Sequence, residues 1–228
     1  MSCGWGQFWR VIRVLPSLYS SYNLIELPLG LDEALSVQGG KVPSSQKTSQ
    51  KAIVAAAAAI VEQDGAEALS IRAVARRLGL APNALRSYFP DRKTLVAAVA
   101  AEGMRGLHLA LKRAAKGSAG AEAVSRACQA YLRFARKRPA LYAMMMQRYA
   151  DTPQLLAART GLGDFSRALF ASLQEPGLVT TAGLAWWASL HGMAVLARDG
   201  LLDDRDLAAD SFSGVWALIT AAPRSLPR

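Results

Sequence analysis

Residues 70–95 read SIRAVARRLGLAPNALRSYFPDRKTL, and the spacing inside this stretch sets the reading of the whole chain. Ile71, Val74, Ala75 and Leu78 recur at i, i+3, i+4 and i+7, which puts four apolar side chains on one helical face. Ser70 stands where an N-cap belongs, since its hydroxyl can satisfy a backbone N–H of the first turn. Gly79 takes positive φ readily and so lets the helix stop and the chain turn. Pro82 suits the first turn of a second helix, about 82–89, where its missing N–H costs nothing. Leu85 and Phe89, four apart, are predicted to anchor that helix inward, leaving Asn83, Ala84, Arg86, Ser87 and Tyr88 outside. Two short helices around a glycine turn, the second presenting polar groups, predict a helix-turn-helix.

On the N-terminal side, Thr48 or Ser49 is placed to cap a preceding helix over 49–64, whose alanine-rich run from Ala52 to Val61 has high helix propensity. Asp91 is placed to cap a long helix over 92–116, with Leu95, Val96, Val99, Leu107 and Leu111 as its apolar set and Gly103 and Gly106 as weak points where it bends. Beyond Gly117–Gly120, helices are predicted at about 121–137, at 141–149 after Pro139, and at 164–174, 178–198 and 206–221. Alanine and leucine dominate and strand-favouring clusters are scarce, so the class is all-α. Residues 1–46 mix Gly4–Trp5–Gly6, Pro16, Pro28 and Gly39–Gly40 without a sustained period. They are expected to be a poorly ordered extension, or a segment translated upstream of the native start, with a genuine N-terminal arm that touches DNA as the alternative.

The 228 residues carry a net charge of +10, which favours a polyanionic partner without speaking to the fold. Between 47 and 100, eight basic residues (Lys47, Lys51, Arg72, Arg76, Arg77, Arg86, Arg92, Lys93) face four acidic ones (Glu62, Asp64, Glu67, Asp91), and a further excess lies at Arg133, Arg136, Lys137 and Arg138. Cys3 and Cys128 form no C-x-x-C or Cys/His cluster, so neither a zinc site nor a disulfide framework is indicated, and a reducing compartment fits. Pro16, Ser17, Ser20, Ser21 and Asn23 interrupt the N-terminal apolar residues, arguing against a signal peptide. Pro176 to Ala197 contains no charged residue and is long enough to span a membrane, but its Thr180, Thr181, Ser189, His191 and three glycines read as a buried bundle helix. An enzyme is disfavoured. The two histidines, His108 and His191, accompany no nucleophile elbow or metal spacing, and Gly161–Leu162–Gly163 lacks the third glycine and preceding strand of a dinucleotide fingerprint. No catalytic residue, metal or cofactor is assigned.

Ser70 to Leu95 resembles the DNA-binding region of the TetR family of transcriptional regulators. The matching residues are Ala75–Arg76–Arg77–Leu78–Gly79–Leu80, then Leu85, Tyr88–Phe89, Pro90, Arg92–Lys93 and Leu95, with Glu62–Gln63–Asp64–Gly65 upstream. Two positions depart from the family pattern: Ala81 replaces the usual Ser or Thr, losing a cap typically worth about 1 kcal/mol, and Arg86 stands where Tyr is usual. Farther on, Trp187–Ala188–Ser189–Leu190–His191–Gly192, with Arg138–Pro139–Ala140–Leu141–Tyr142, resembles the family's C-terminal domain of the tryptophan-histidine-glycine type. The resemblance implies a three-helix DNA-binding domain with its helix-turn-helix at 47–107 and a C-terminal helical bundle for ligand binding and dimerisation at 108–223.

Pro82, Asn83, Arg86, Ser87 and Tyr88 are the expected base and phosphate contacts, since a major-groove helix can place Arg on guanine and Asn on adenine. Thr48, Arg72 and Lys93, at helix starts, are expected to hold phosphates. The resemblance adds Ser70, Ile71, Ala81, Ala84 and Phe89 to that surface. Tyr131, Phe134, Tyr142, Met145, Trp187 and His191 are the expected ligand-binding set, with Met144, Trp186 and Met193 near them, because flat rings and thioethers suit a small apolar or aromatic ligand. The last two helices, with Trp186, Leu190, Ala194, Phe212, Val215, Trp216 and Ile219, are expected to make a homodimer whose two-fold axis matches a palindromic operator on double-stranded DNA. The implied protein is a cytoplasmic, ligand-responsive repressor that is not membrane-bound. The alternative is a binder that uses charge alone, which excess random DNA would compete away.

Overall fold

The computed structural model describes residues 49–149, 151–171 and 179–203. The N-terminal segment 1–46, Thr48 and the expected helix over 206–221 lie outside them. The Ser49 side chain accepts the Ala52 N–H at 3.1 Å and starts α1, Gln50–Asp64. After a 3-10 turn at Ala66–Ala68, Ser70 accepts the Ala73 N–H at 3.1 Å and starts α2, Ile71–Leu78. Gly79 closes α2 at φ 67° and ψ 36°, a left-handed conformation that a Cβ would disfavour. α3, Pro82–Arg86, begins at Ala81 without a side-chain cap, and Asp91 caps the 24-residue α4, Arg92–Ala115, by accepting the Thr94 N–H at 2.8 Å. That hydrogen bond favours the ionised carboxylate and lowers the pKa of Asp91.

Then follow α5, Gly120–Lys137, α6, Pro139–Met145, α7, Pro153–Ala171, and α8, Val179–Arg198. No strand occurs among the described residues. α4 is the axis of the molecule: it packs on α1 near its start and on α5, α6 and α7 farther along, while α8 lies against α5 and α7. α4 is also the one described helix long and apolar enough to cross a membrane, but more than half of its apolar window is buried inside the protein, as a core helix requires.

Three boundaries differ from the sequence reading. The second helix of the helix-turn-helix, expected over about 82–89, ends at Arg86, and Phe89 follows it with its N–H on the Leu85 carbonyl at 2.8 Å. The helix expected over 164–174 begins at Pro153, eleven residues earlier. Thr152 accepts the Leu155 N–H at 3.2 Å, and Gly161 lies where a Cβ would be 3.6 Å from the His108 ring on α4. Contact with α4 thus stabilises glycine-containing turns that propensity alone disfavours. The helix expected over 141–149 stops at Met145, and Tyr149 folds back to donate its hydroxyl to the Met144 carbonyl at 2.9 Å.

The α4 glycines have a packing reason as well. A Cβ on Gly103 would sit 2.9 Å from the Met145 sulfur and 3.3 Å from Leu141 Cγ, and one on Gly106 would sit 3.4 Å from the Phe134 ring. The absent side chains let α6 and α5 approach the α4 backbone.

Candidate nucleic-acid interface and sensing core

The second helix of the helix-turn-helix is held from one side. Leu85 is fully buried and Phe89 is 2% exposed, and both join a core made by α1, α2 and the start of α4. Burying each contributes about 2–3 kcal/mol. Asn83, Ala84, Arg86 and Ser87 are exposed, and Tyr88 keeps 42% of its surface in solvent. Ala81 and Pro82 at the start of α3, Arg72 on α2 and Lys93 at the start of α4 are exposed too.

Three expected contacts are placed differently. Phe89 supports the surface from beneath instead of forming part of it. Ile71 is half-buried against the same core, and the Ser70 hydroxyl is engaged as the α2 cap.

Sequence reasoning missed what fixes this surface to α4. Arg92 donates from Nε to the Leu69 carbonyl at 2.8 Å and from Nη2 to the Ala66 carbonyl at 2.9 Å, binding the turn before α2 to the start of α4. Arg77 donates to the Gln63 side chain at 2.7 Å and ties α2 to α1. In the sequence both arginines registered as positive charge and as motif positions but not as ties between helices, because their acceptors lie 14 to 26 residues away.

The second half holds a buried polar chain. The Tyr131 and Tyr142 hydroxyls are 2.7 Å apart, and the Tyr142 hydroxyl is 2.7 Å from His191 Nδ1. The Trp187 indole also engages the Tyr131 phenol and stacks on the His191 ring at 5.3 Å and 6°. Burial lowers the His191 pKa, with Arg198 adding repulsion, so the ring is neutral near pH 7. One direction then satisfies every donor: Trp187 N–H to Tyr131, Tyr131 O–H to Tyr142, and Tyr142 O–H to His191 Nδ1. Burial also pushes the Tyr131 phenol well above its ordinary pKa.

Of the six expected ligand residues, Tyr131, Tyr142, Trp187 and His191 thus form one connected group, and Met145 is fully buried beneath Gly103. Phe134 stands apart, its ring facing Gly106. Beside this group Trp186 donates its indole N–H to Cys128 Sγ at 3.1 Å, and burial pushes the thiol pKa up to about 11. Trp186, Leu190 and Ala194, expected at a dimer surface, are buried against α5 and α7 instead. The outward side of α8 carries Ala188 and Leu196, both exposed. Phe212, Val215, Trp216 and Ile219 lie outside the described residues.

The two halves meet at α6. Leu141 and Met144 belong to the same core as Leu85 and Phe89, and Glu62 of α1 lies 3.3 Å from the Arg138 guanidinium that precedes α6. Burial raises the Glu62 pKa, against Arg138 and the N–H groups of Leu141 and Ala140, which favour its charge.

A helix-turn-helix with an exposed second helix, joined through a long helix to an α-helical second half, defines the class of helix-turn-helix regulators. Residues 53–99 match the family described as bacterial regulatory proteins, tetR family, and residues 124–218 match the tetracyclin repressor-like C-terminal domain, together more than half of the chain. The chain belongs to the TetR family of transcriptional regulators. It is 29% identical over 166 residues to an uncharacterised HTH-type transcriptional regulator of Mycobacterium tuberculosis, covering 70% of this chain and 75% of that protein. A Rhodococcus sp. RHA1 protein of unknown function shares the fold with a TM-score of 0.65 at 26% identity, over 81% of this chain and 97% of that one. A TetR family transcriptional regulator from Thermus thermophilus superposes with a TM-score of 0.52 at 22% identity, over 77% and 99% of the two chains.

Proposed function

We propose that this regulator is a cytoplasmic, ligand-responsive repressor that binds a palindromic operator as a homodimer. The observation that carries the reading is the division of α3: Leu85 and Phe89 inside, Asn83, Arg86, Ser87 and Tyr88 outside. Arg86 reads guanine and Asn83 adenine in the major groove, while Arg72 and Lys93 hold flanking phosphates. The 47–107 segment reads DNA and the 108–223 segment senses and dimerises. Dimerisation uses the outward side of α8 with the last helix, setting two recognition helices about 34–36 Å apart.

The effector is a small apolar or aromatic molecule that enters among Tyr131, Tyr142, Met145, Trp187 and His191, opening the Tyr142–His191 hydrogen bond. α6 carries Tyr142 and Met145 on the sensing side and Leu141 and Met144 in the DNA-reading core. A shift of α6 therefore re-aims α1 and the helix-turn-helix. Moving the equilibrium from 1:99 to 99:1 requires about 5.5 kcal/mol of differential affinity.

The test is binding of the purified full-length protein to DNA flanking its own gene, at physiological salt with excess random competitor. A discrete complex is expected. Arg86→Ala should weaken it by about 1–3 kcal/mol, and Tyr88→Ala should weaken it too. Neither should move the thermal midpoint, since both side chains are exposed. A complex that random DNA removes, and that neither variant alters, would refute the reading.

A further inference from the structure

A groove of about 440 Å³ runs between α4 and α5, apart from the Tyr142–His191 core. Its floor is apolar, made by Ala110, Ala114, Ala130 and Phe134, and its rim carries Arg113, Arg133, Lys137 and Arg138. No carboxylate lines it, and among the described residues the only acid paired with any of these four cations is Glu62, with Arg138. The size falls within the range of about 300–1,000 Å³ usual for small-molecule sites.

We propose that this groove binds an amphipathic organic anion, a carboxylate with an apolar body, and that its headgroup draws Arg138 away from Glu62. The four cations set the charge of the occupant. The floor sets the rest: alanine methyls and a phenyl ring offer nothing to a phosphodiester backbone or to the edges of a nucleobase, but they cover an alkyl or aryl group well. Because Arg138 pairs across to α1, the occupied groove and the intact Glu62–Arg138 pair compete. That competition makes the groove a second input to the DNA-reading end. Binding stands by itself, and its effect on DNA rests on the regulator reading above.

Isothermal titration of the full chain with decanoate, without DNA, tests the proposal, with decanol and inorganic phosphate as the tail-only and charge-only controls. Decanoate should bind saturably and at least tenfold more tightly than either control. Arg133→Gln combined with Lys137→Gln, both at exposed positions, should weaken it at least tenfold. Glu62→Gln should bind decanoate several-fold more tightly, because Arg138 is then uncommitted, an outcome that loss of folding cannot mimic.

The proposal is overturned by no saturable binding, by decanol binding equally well, or by a double variant that keeps its affinity, which would place the ligand away from the groove. Unchanged affinity in Glu62→Gln removes the link to α1. If the double variant loses DNA affinity while decanoate does not bind the native protein, the four cations serve DNA and the groove has no anion of its own. Since every titration omits DNA, failure of the operator assay leaves these results readable.

Discussion

Changing Tyr142 to Phe removes one oxygen from the centre of the buried polar chain, and the cost follows from what that oxygen holds. Its two neighbours sit at 2.7 Å: the fully buried Tyr131 hydroxyl, which loses its acceptor, and His191 Nδ1, which loses its donor. A buried group left unsatisfied costs about 1–3 kcal/mol. His191 is the more accessible of the two and recovers part of its loss from water, so the sum is about 2–4 kcal/mol. Tyr131→Phe leaves the Tyr142 bond to His191 in place but takes the acceptor from the Trp187 N–H, which is half-buried and recovers part of its loss from water, and should cost about 1–2 kcal/mol. Equilibrium urea unfolding followed by tryptophan fluorescence, at one fixed protein concentration because association contributes to stability, measures both. The expected result is a lower midpoint for Tyr142→Phe than for Tyr131→Phe, with unchanged slope. Equal midpoints, or Tyr131→Phe as the less stable variant, would refute the one-way chain of donors.

Ala81→Ser restores the N-cap that α3 lacks and should stabilise the protein by about 1 kcal/mol in the same unfolding assay, since a serine at such a position typically contributes that much; no gain would mean that α3 does not rely on its cap. Gly103→Val forces a side chain into the Met145 and Leu141 contacts and should cost about 1–3 kcal/mol by overpacking. Gly103→Ala sets the same crowding against about 1 kcal/mol of helix propensity and should come out near neutral, so equal stability of the valine variant would show that α6 yields freely. Burial lowers the pKa of both His191 and His108, the latter with help from Lys112, so the unfolded chain binds more protons than the folded one below the ordinary histidine value of 6.5. Stability should therefore be full above that pH and fall as the pH drops toward about 5.5, still above the range where carboxylates dominate. His191→Asn should flatten the fall; an unchanged slope would show that His191 is not held neutral by the fold.

Features under short-range control were legible in the chain alone. Ser49, Ser70 and Asp91 cap the helices they were expected to cap, because a cap depends on a side chain reaching a backbone N–H three residues away. Gly79 turns the chain for an equally local reason, and Leu85 points inward as its place in the helix predicts, whereas Phe89 is buried from the turn after the helix ends at Arg86.

Other features became visible only with the helices packed together. Periodicity marks an apolar face but does not say whether that face meets its own chain or a second copy, so Trp186, Leu190 and Ala194 read as a dimer surface and are core. Glycine at 103 and 106 reads as helix weakness until Met145 and Phe134 occupy the space that a side chain would take. The acceptors of Arg92, the Tyr131–Tyr142–His191 chain and the cation-rimmed groove join residues far apart in sequence. Such pairings depend on how the helices cross, and helix crossings are fixed by packing across the whole core rather than by any stretch within it.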